Sequence, residues 1–172
     1  SIRKDSKIVS IKPHKKGPVF AVLQASKYID KDKKSIVSYC DFNCLWNFSK
    51  FKEFIVNTDC DGSIPAYKGF HPHMLKNTNY AYMKCTDNKV IDIQEKRPFT
   101  DNPQSEFASS GTYYFKSGAL MEKYFKRTIH ENHIVNGEYY VSMSYIPMLK
   151  DNLNINVFEL DYFMQWGTPE DL

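Results

Sequence analysis

Ser35-Ile36-Val37-Ser38-Tyr39-Cys40-Asp41-Phe42-Asn43-Cys44-Leu45-Trp46 is the stretch on which the reading of the fold turns, a β-branched run that stops at a single carboxylate. Ile36 and Val37 favour a strand. The unbroken run from Ile36 to Cys40, with little polar alternation, predicts a strand covered on both faces, as in a parallel sheet with helices on either side. Ligands of such sheets gather at the carboxyl ends of the strands. Asp41, just past the last apolar residue, is therefore a candidate ligand for a divalent cation carrying phosphate. An Asp that caps a turn is the competing reading, and this stretch alone leaves both open.

Upstream, Lys7 to Ile11 reads as a short strand and residues 13–17 as a loop. From Pro18 the positions Val19, Val22, Leu23, Ser26 and Ile29 fall at three- and four-residue spacing, which predicts a helix with proline in its first turn. Gly17-Pro18 then lies at a helix N-terminus, where backbone amides and the helix dipole can meet acceptor atoms of a ligand. Asp30 to Lys34 turns the chain into the Ile36 strand, so strand, glycine turn, helix and strand make a parallel crossover unit.

Downstream, Phe48, Phe51, Phe54 and Ile55 predict a helix that ends near Asn57. Thr58-Asp59-Cys60-Asp61-Gly62 is a turn by composition, and its Asp-x-Asp reads as an acidic turn more readily than as a metal chelate. Ile64 to Tyr67 resumes as a strand. Tyr80 to Cys85 and Val90 to Glu95 flank Thr86-Asp87-Asn88-Lys89 and predict a β-hairpin, which Pro98 stops. Small residues from Ala108 to Gly111, then Tyr113, Tyr114 and Phe115, predict a strand that something approaches closely at Gly111. Ser117 caps a helix carrying Leu120, Met121, Tyr124 and Phe125. After the Asn136-Gly137 turn, Val141, Tyr145, Met148 and Leu149 predict a helix from Glu138, bent by Pro147. Asn154 to Gln165 reads as one long strand, and Thr168 with Pro169 announces a final helix.

The 172 residues, 42% of them apolar, suit one domain over 1–172 with a real core. No apolar run approaches a membrane span and no signal-peptide pattern opens the chain, so a soluble, cytoplasmic protein is expected. A net charge of +3 gives no ground for a nucleic-acid or membrane partner. Lys12, His14, Lys15 and Lys16 form a local basic cluster, either a solvated loop or a place for phosphate. Cys40, Cys44, Cys60 and Cys85 lack C-x-x-C spacing and read as reduced core thiols. His71-Pro72-His73 has no second ligand pair, so zinc is not expected. The chain starts at Ser1 without methionine and enters regular patterns at once, as a fragment would.

Five separated segments together resemble the superfamily of nucleotidyltransferases that activate sugar phosphates. Gly17-Pro18-Val19-Phe20-Ala21 is similar to the glycine turn that touches the nucleotide base, and Asp41 follows at about the family's distance. Gln94-Glu95-Lys96-Arg97-Pro98 resembles Glu-Lys-Pro, whose lysine binds the acceptor phosphate. Ser110-Gly111-Thr112-Tyr113-Tyr114 resembles the glycine strand beside the acceptor, Gly137-Glu138 the Gly-Glu helix start, and residues 167–172 the segment after the second metal-binding strand. The forms Tyr-Cys-Asp-Phe and Gln-Trp-Gly-Thr-Pro-Glu-Asp-Leu are most similar to bacterial members of capsule and surface-polysaccharide pathways. The resemblance implies an α/β, Rossmann-like three-layer mixed sheet with an inserted β-hairpin, truncated at its N-terminus to about the last two-thirds of the full fold.

The same resemblance implies an enzyme that moves a nucleoside monophosphate from a nucleoside triphosphate to a phosphorylated sugar or related metabolite, releasing pyrophosphate. Mg2+ is the implied cofactor, on Asp41 and Gln165. Asp41 and Lys96 are the implied catalytic residues, Gly17, Pro18 and Asp41 bind nucleotide, and Glu95, Lys96, Gly111 and Glu138 bind acceptor. Tyr113, Tyr114 and His71 make the acceptor pocket aromatic. From the residues alone, Glu95 and Lys96 also read as a surface ion pair, Gly111 as a plain strand glycine and Glu138 as a favourable charge at a helix start. Two departures stand out. The family's Gly-x-Gly-x-Arg loop and the Pro-Lys-Pro lysine after it are not found, so the chain alone is not expected to be competent. Gln165 stands where the family has Asp, a poorer magnesium ligand. The missing strands would leave a central sheet edge bare, so association with the missing segment or with a second copy is expected. A glycosyltransferase using an Asp-x-Asp, or a non-catalytic fragment of the same fold, are the alternatives.

Overall fold

Side chains of one mixed sheet alternate between two helical coverings, and the cleft opens where two of its strands stop. The computed structural model describes residues 6–167 and 169. β3 (Gly62–Tyr67) is the axis of the sheet. On one flank it pairs in parallel with β8 (Ile155–Glu159). On the other it meets β7 (Thr112–Phe115) and then β6 (Phe107–Ser109), both antiparallel. β1 (Ser35–Ser38) closes the β7 side, while β4 (Ala81–Thr86) and β5 (Lys89–Glu95) form a hairpin beside β6. The order is β1-β7-β3-β6-β4-β5-β8.

Alternation along β7 shows how the layers form. Tyr113 and Phe115 enter a core shared with α1 (Pro18–Gln24), α3 (Gly118–His130) and α4 (Tyr145–Lys150). Tyr114 points the other way, against Phe51 and Ile55 of α2 (Phe48–Asn57). The three- and four-residue spacing of Phe48, Phe51 and Ile55 places this stripe, and the Asn47 side chain caps the helix by accepting from the Lys50 amide at 3.1 Å. Phe51 is fully buried between Trp46, Tyr114 and Phe158, so truncating it to Ala costs about 3–5 kcal/mol. A two-stranded antiparallel ribbon, β2 (Phe42–Leu45) with β9 (Tyr162–Gln165), covers the rest of that face over Tyr67, Tyr82 and Ala108.

Several expectations fail, each for a local reason. Lys7 to Ile11 belongs to no strand, so no parallel crossover leads into β1 among the described residues. Among the described residues β1 lies at an edge of the sheet, antiparallel to β7, with alternating exposure and not two covered faces. Cys40 is accordingly exposed, whereas Cys60 is buried and Cys44 and Cys85 half-buried. The 108–115 strand breaks at Gly111, whose φ of 82° turns the chain between β6 and β7. Glu138 starts no helix. Residues 139 and 140 belong to no helix, Val141 already has helical backbone angles, a 3-10 turn follows at Ser142–Ser144, and α4 begins only at Tyr145. Pro147 sits in the first turn of α4, where it bends nothing. Residues 154–165 divide into β8 and β9, which serve different sheets. The helix expected from Thr168 lies outside the described residues.

Candidate active site

Lys96 follows the last residue of β5, with φ at 58°. A side chain in the left-handed region costs about 1 kcal/mol or more, and such residues persist where their surroundings hold them. Here the Lys96 amide donates to the Tyr80 carbonyl at 2.9 Å, and the Lys96 carbonyl accepts from the Thr78 hydroxyl at 2.8 Å. The ammonium donates to Tyr140 Oη at 2.7 Å and lies 4.5 Å from the centre of that ring. Tyr140 in turn donates to Glu138 Oε2 at 2.5 Å. Burial, then the Glu138 bond and charge, raise the Tyr140 pKa, so the hydroxyl stays neutral.

Glu95, one residue earlier, is 9% exposed and is not the surface partner of an ion pair. Ser142 Oγ donates to its Oε2 at 2.5 Å. Burial pushes the Glu95 carboxyl up to about 7, against the Ser142 hydrogen bond and the Lys96 charge, which pull it down.

Asp41 comes from a different part of the chain, at the join of β1 and β2. Its carbonyl accepts from the Trp166 amide at 3.0 Å, continuing the β2–β9 register in which Phe42 faces Gln165. A Cβ on Gly167 would lie 2.7 Å from Asp41 Oδ2 and 3.0 Å from Gln165 Nε2, so the bare glycine leaves room for both side-chain ends. Asp41, Gln165 and Gly167 line one cleft of about 240 Å³ together with Glu95, Lys96, Gly111 and Tyr140. Ser109, Ser110, Tyr113 and Tyr39 also line it. At Gly111 a Cβ would meet Tyr39 Cδ2 at 3.1 Å and Phe42 Cε1 at 3.2 Å.

Among the described residues no three His, Cys, Asp or Glu side chains gather into a metal cage. Asp41 and Gln165 nevertheless suit a hard cation that takes most of its ligands from phosphate and water, since Mg2+ is commonly held by one or two carboxylates plus substrate oxygens. A half-turn of the Gln165 amide exchanges Nε2 for Oε1 at the Gly167 cradle.

The cleft thus brings together Asp41, Glu95, Lys96, Gly111 and Gln165. Gly17, Pro18 and Glu138 lie outside its lining, although Glu138 reaches it through Tyr140. α1 is only seven residues long, Pro18 has no amide hydrogen, and the Val19 amide is already donated to Tyr139. Its start is therefore not the open amide nest expected from the sequence. Of the aromatic residues expected at the acceptor, Tyr113 lines the cleft, Tyr114 packs on α2, and His71 packs on Tyr67 and Phe163. Asp59 and Asp61 are held by Lys116 at 3.0 and 3.8 Å, away from the cleft, as an acidic turn. Sequence reading missed Tyr140 and Ser142. No spacing marks them, because the chain passes from the strap at Tyr140 through helical angles at Val141 into the 3-10 turn that carries Ser142.

Comparison of the fold with solved structures finds a nucleoside-diphosphate-sugar pyrophosphorylase from Vibrio cholerae RC9, with TM-score 0.68 and 18% identity over 94% of this chain and 65% of that one. A glucose-1-phosphate thymidylyltransferase candidate from Bacillus anthracis, in complex with a sucrose, gives TM-score 0.71 and 14% identity over 94% of this chain and 60% of that one. A UDP-glucose pyrophosphorylase complexed with UDP-glucose gives TM-score 0.70 and 14% identity over 92% and 60%. The chain therefore spans under two-thirds of the length of the structures it matches. No curated protein sequence matches it. The nucleotidyl transferase family model matches residues 6–149, most of the chain, and the protein belongs to that family.

Proposed function

We propose that the cleft transfers a nucleoside monophosphate from a nucleoside triphosphate to a phosphorylated sugar or related metabolite, for surface-polysaccharide precursor synthesis. An oxygen of the acceptor phosphate forms a bond to the α-phosphorus, the bond from that phosphorus to the bridging oxygen breaks, and pyrophosphate leaves. The attacking oxygen is already anionic at neutral pH, so no protein base has to remove a proton. What the protein must supply is in-line placement of two anions and screening of their repulsion. The observation that carries this reading is that Asp41 and Lys96, 55 positions apart, line the same cleft.

Lys96 meets the acceptor phosphate as a fixed point charge. Tyr140 takes one of its three N–H bonds and leaves two for phosphate oxygens. Glu95 accepts from acceptor hydroxyls, beside Gly111 in the lining of the cleft. Gly17 and Pro18 serve the nucleotide base, as the family resemblance implies. Asp41 and Gln165 would hold Mg2+, which when bound neutralises phosphate charge. Adding each nucleoside triphosphate with a sugar phosphate and watching for pyrophosphate tests the activity. Nucleoside diphosphate would mark a glycosyltransferase instead.

The outer edge of β1 has no partner strand among the described residues, and Ile36 on it is 44% exposed. Open edges of this kind take further strands. We assign this edge to a second copy of the chain. Sedimentation of the 172-residue chain as a stable monomer would contradict the assignment.

A further inference from the structure

Residues 138–140 form a strap that runs into the 3-10 turn at Ser142–Ser144, with a different partner on each side. Two side chains face the end of β5, Tyr140 on the Lys96 ammonium and Ser142 on the Glu95 carboxylate. The backbone of Tyr139, just before Tyr140, is clamped to the glycine turn. The Tyr139 amide donates to the Lys16 carbonyl at 3.0 Å, and the Val19 amide donates to the Tyr139 carbonyl at 3.0 Å. Gly17 is packed so closely beneath that a Cβ there would lie 2.8 Å from Tyr139 N and 2.9 Å from Glu138 Cβ. Glu138 itself fixes the Tyr140 hydroxyl.

We propose that Tyr140 is the positioning residue for Lys96, and that the strap ties the setting of this lysine to the Gly17 turn. A lysine has four rotatable bonds and a strongly hydrated charge, so a free one spreads its ammonium over several ångströms. The Tyr140 hydroxyl, with its own proton committed to Glu138, offers Lys96 only its lone pairs, and its ring lies close to the same charge. The ammonium is thereby kept in one place before any phosphate arrives. Movement of the Gly17 turn has a direct route to it, through Tyr139 backbone bonds and one residue of chain.

This inference rests on the proposed role of Lys96, and its test separates the two. In the protein as encoded, brief amine acylation followed by peptide mass spectrometry reads the freedom of Lys96 without any turnover. Tyr140→Phe keeps the ring and removes only the hydroxyl, so the fold is expected to stand. Lys96 should then acylate roughly tenfold faster, as loss of one hydrogen bond to a charged group implies, with Lys116 and Lys126 unchanged. Gly17→Ala, pushing on Tyr139 from the other side, should raise the same rate by at least about twofold. In pyrophosphate-release assays Tyr140→Phe should raise the KM for the acceptor roughly fivefold and leave that for the triphosphate within about twofold. An unchanged Lys96 acylation rate in Tyr140→Phe overturns the proposal. Absence of pyrophosphate release from the unsubstituted protein overturns the activity instead, and the acylation result is then read by itself.

Discussion

The Glu95–Lys96 part of the cleft and the Asp41–Gln165 part differ in how many bonds hold them. Lys96 is fixed by Tyr80, Thr78 and Tyr140, and Glu95 by Ser142. Asp41 is exposed and anchored through its backbone to Trp166, on a ribbon of two four-residue strands. One part is held at its side chains, and the other through its backbone. The lesson is that preorganisation here is concentrated where a flexible lysine needs it.

The comparison breaks most sharply at the charges themselves. Lys96→Met removes a fixed charge from a partly shielded cleft and should lower the rate of pyrophosphate release about a hundredfold to a thousandfold, with Asp41→Asn in the same range. The two should differ in kind. Raising the Mg2+ concentration should recover part of the activity of Asp41→Asn and none of that of Lys96→Met.

Next in size is a pH effect confined to the lysine's part. Glu95 titrates near 7 in the folded protein against 4.5 as its ordinary value. The folded state thus binds more protons than the unfolded one between these values, and stability falls as pH rises through that window. Between pH 5 and pH 8 the protein should lose about 2 kcal/mol more than Glu95→Gln, whose neutral amide has no charge to bury. Denaturant midpoints at the two pH values check this, and parallel curves would refute it.

Gly167→Ala sharpens the other side. Its Cβ would press on the tips of two side chains that can yield, so the melting temperature should hardly move. Displacing Asp41 should nonetheless cost roughly tenfold in rate. Smallest is Gly111→Ala, where a positive φ and contacts with Tyr39 and Phe42 predict about 1–2 kcal/mol of lost stability by chemical denaturation.

Local elements were legible where one stretch carries the whole signal. Asn47 with Phe48, Phe51 and Ile55 announces α2 by cap and stripe, and the β4–β5 hairpin follows from two β-rich runs about a four-residue turn. Gly111 was read as a point of close approach, and Tyr39 and Phe42 are what approach it. The β2–β9 ribbon was not legible, because its strands are four residues each, lie over a hundred residues apart, and expose Leu45 and Tyr162. The helix read from Glu138 fails only at its start, since Val141, Tyr145 and Met148 do sit in helical turns while Tyr140 leaves that path to meet Lys96. The Ile36 run suggested a strand with two covered faces, since its apolar residues do not reveal that β1 lies at an edge. Asp41 was named from its place after the Ile36 run and Lys96 and Glu95 from family resemblance, and their meeting in one cleft is a tertiary fact that no spacing contains.

Phosphorus NMR of the encoded protein with Mg2+, a nucleoside triphosphate and a sugar 1-phosphate tests the central claim most directly. Pyrophosphate and a sugar-linked pyrophosphate diester should grow together in equal amounts, and both should vanish with Lys96→Met. Nucleoside diphosphate or orthophosphate as the product, or undiminished turnover by the Lys96→Met protein, would contradict it.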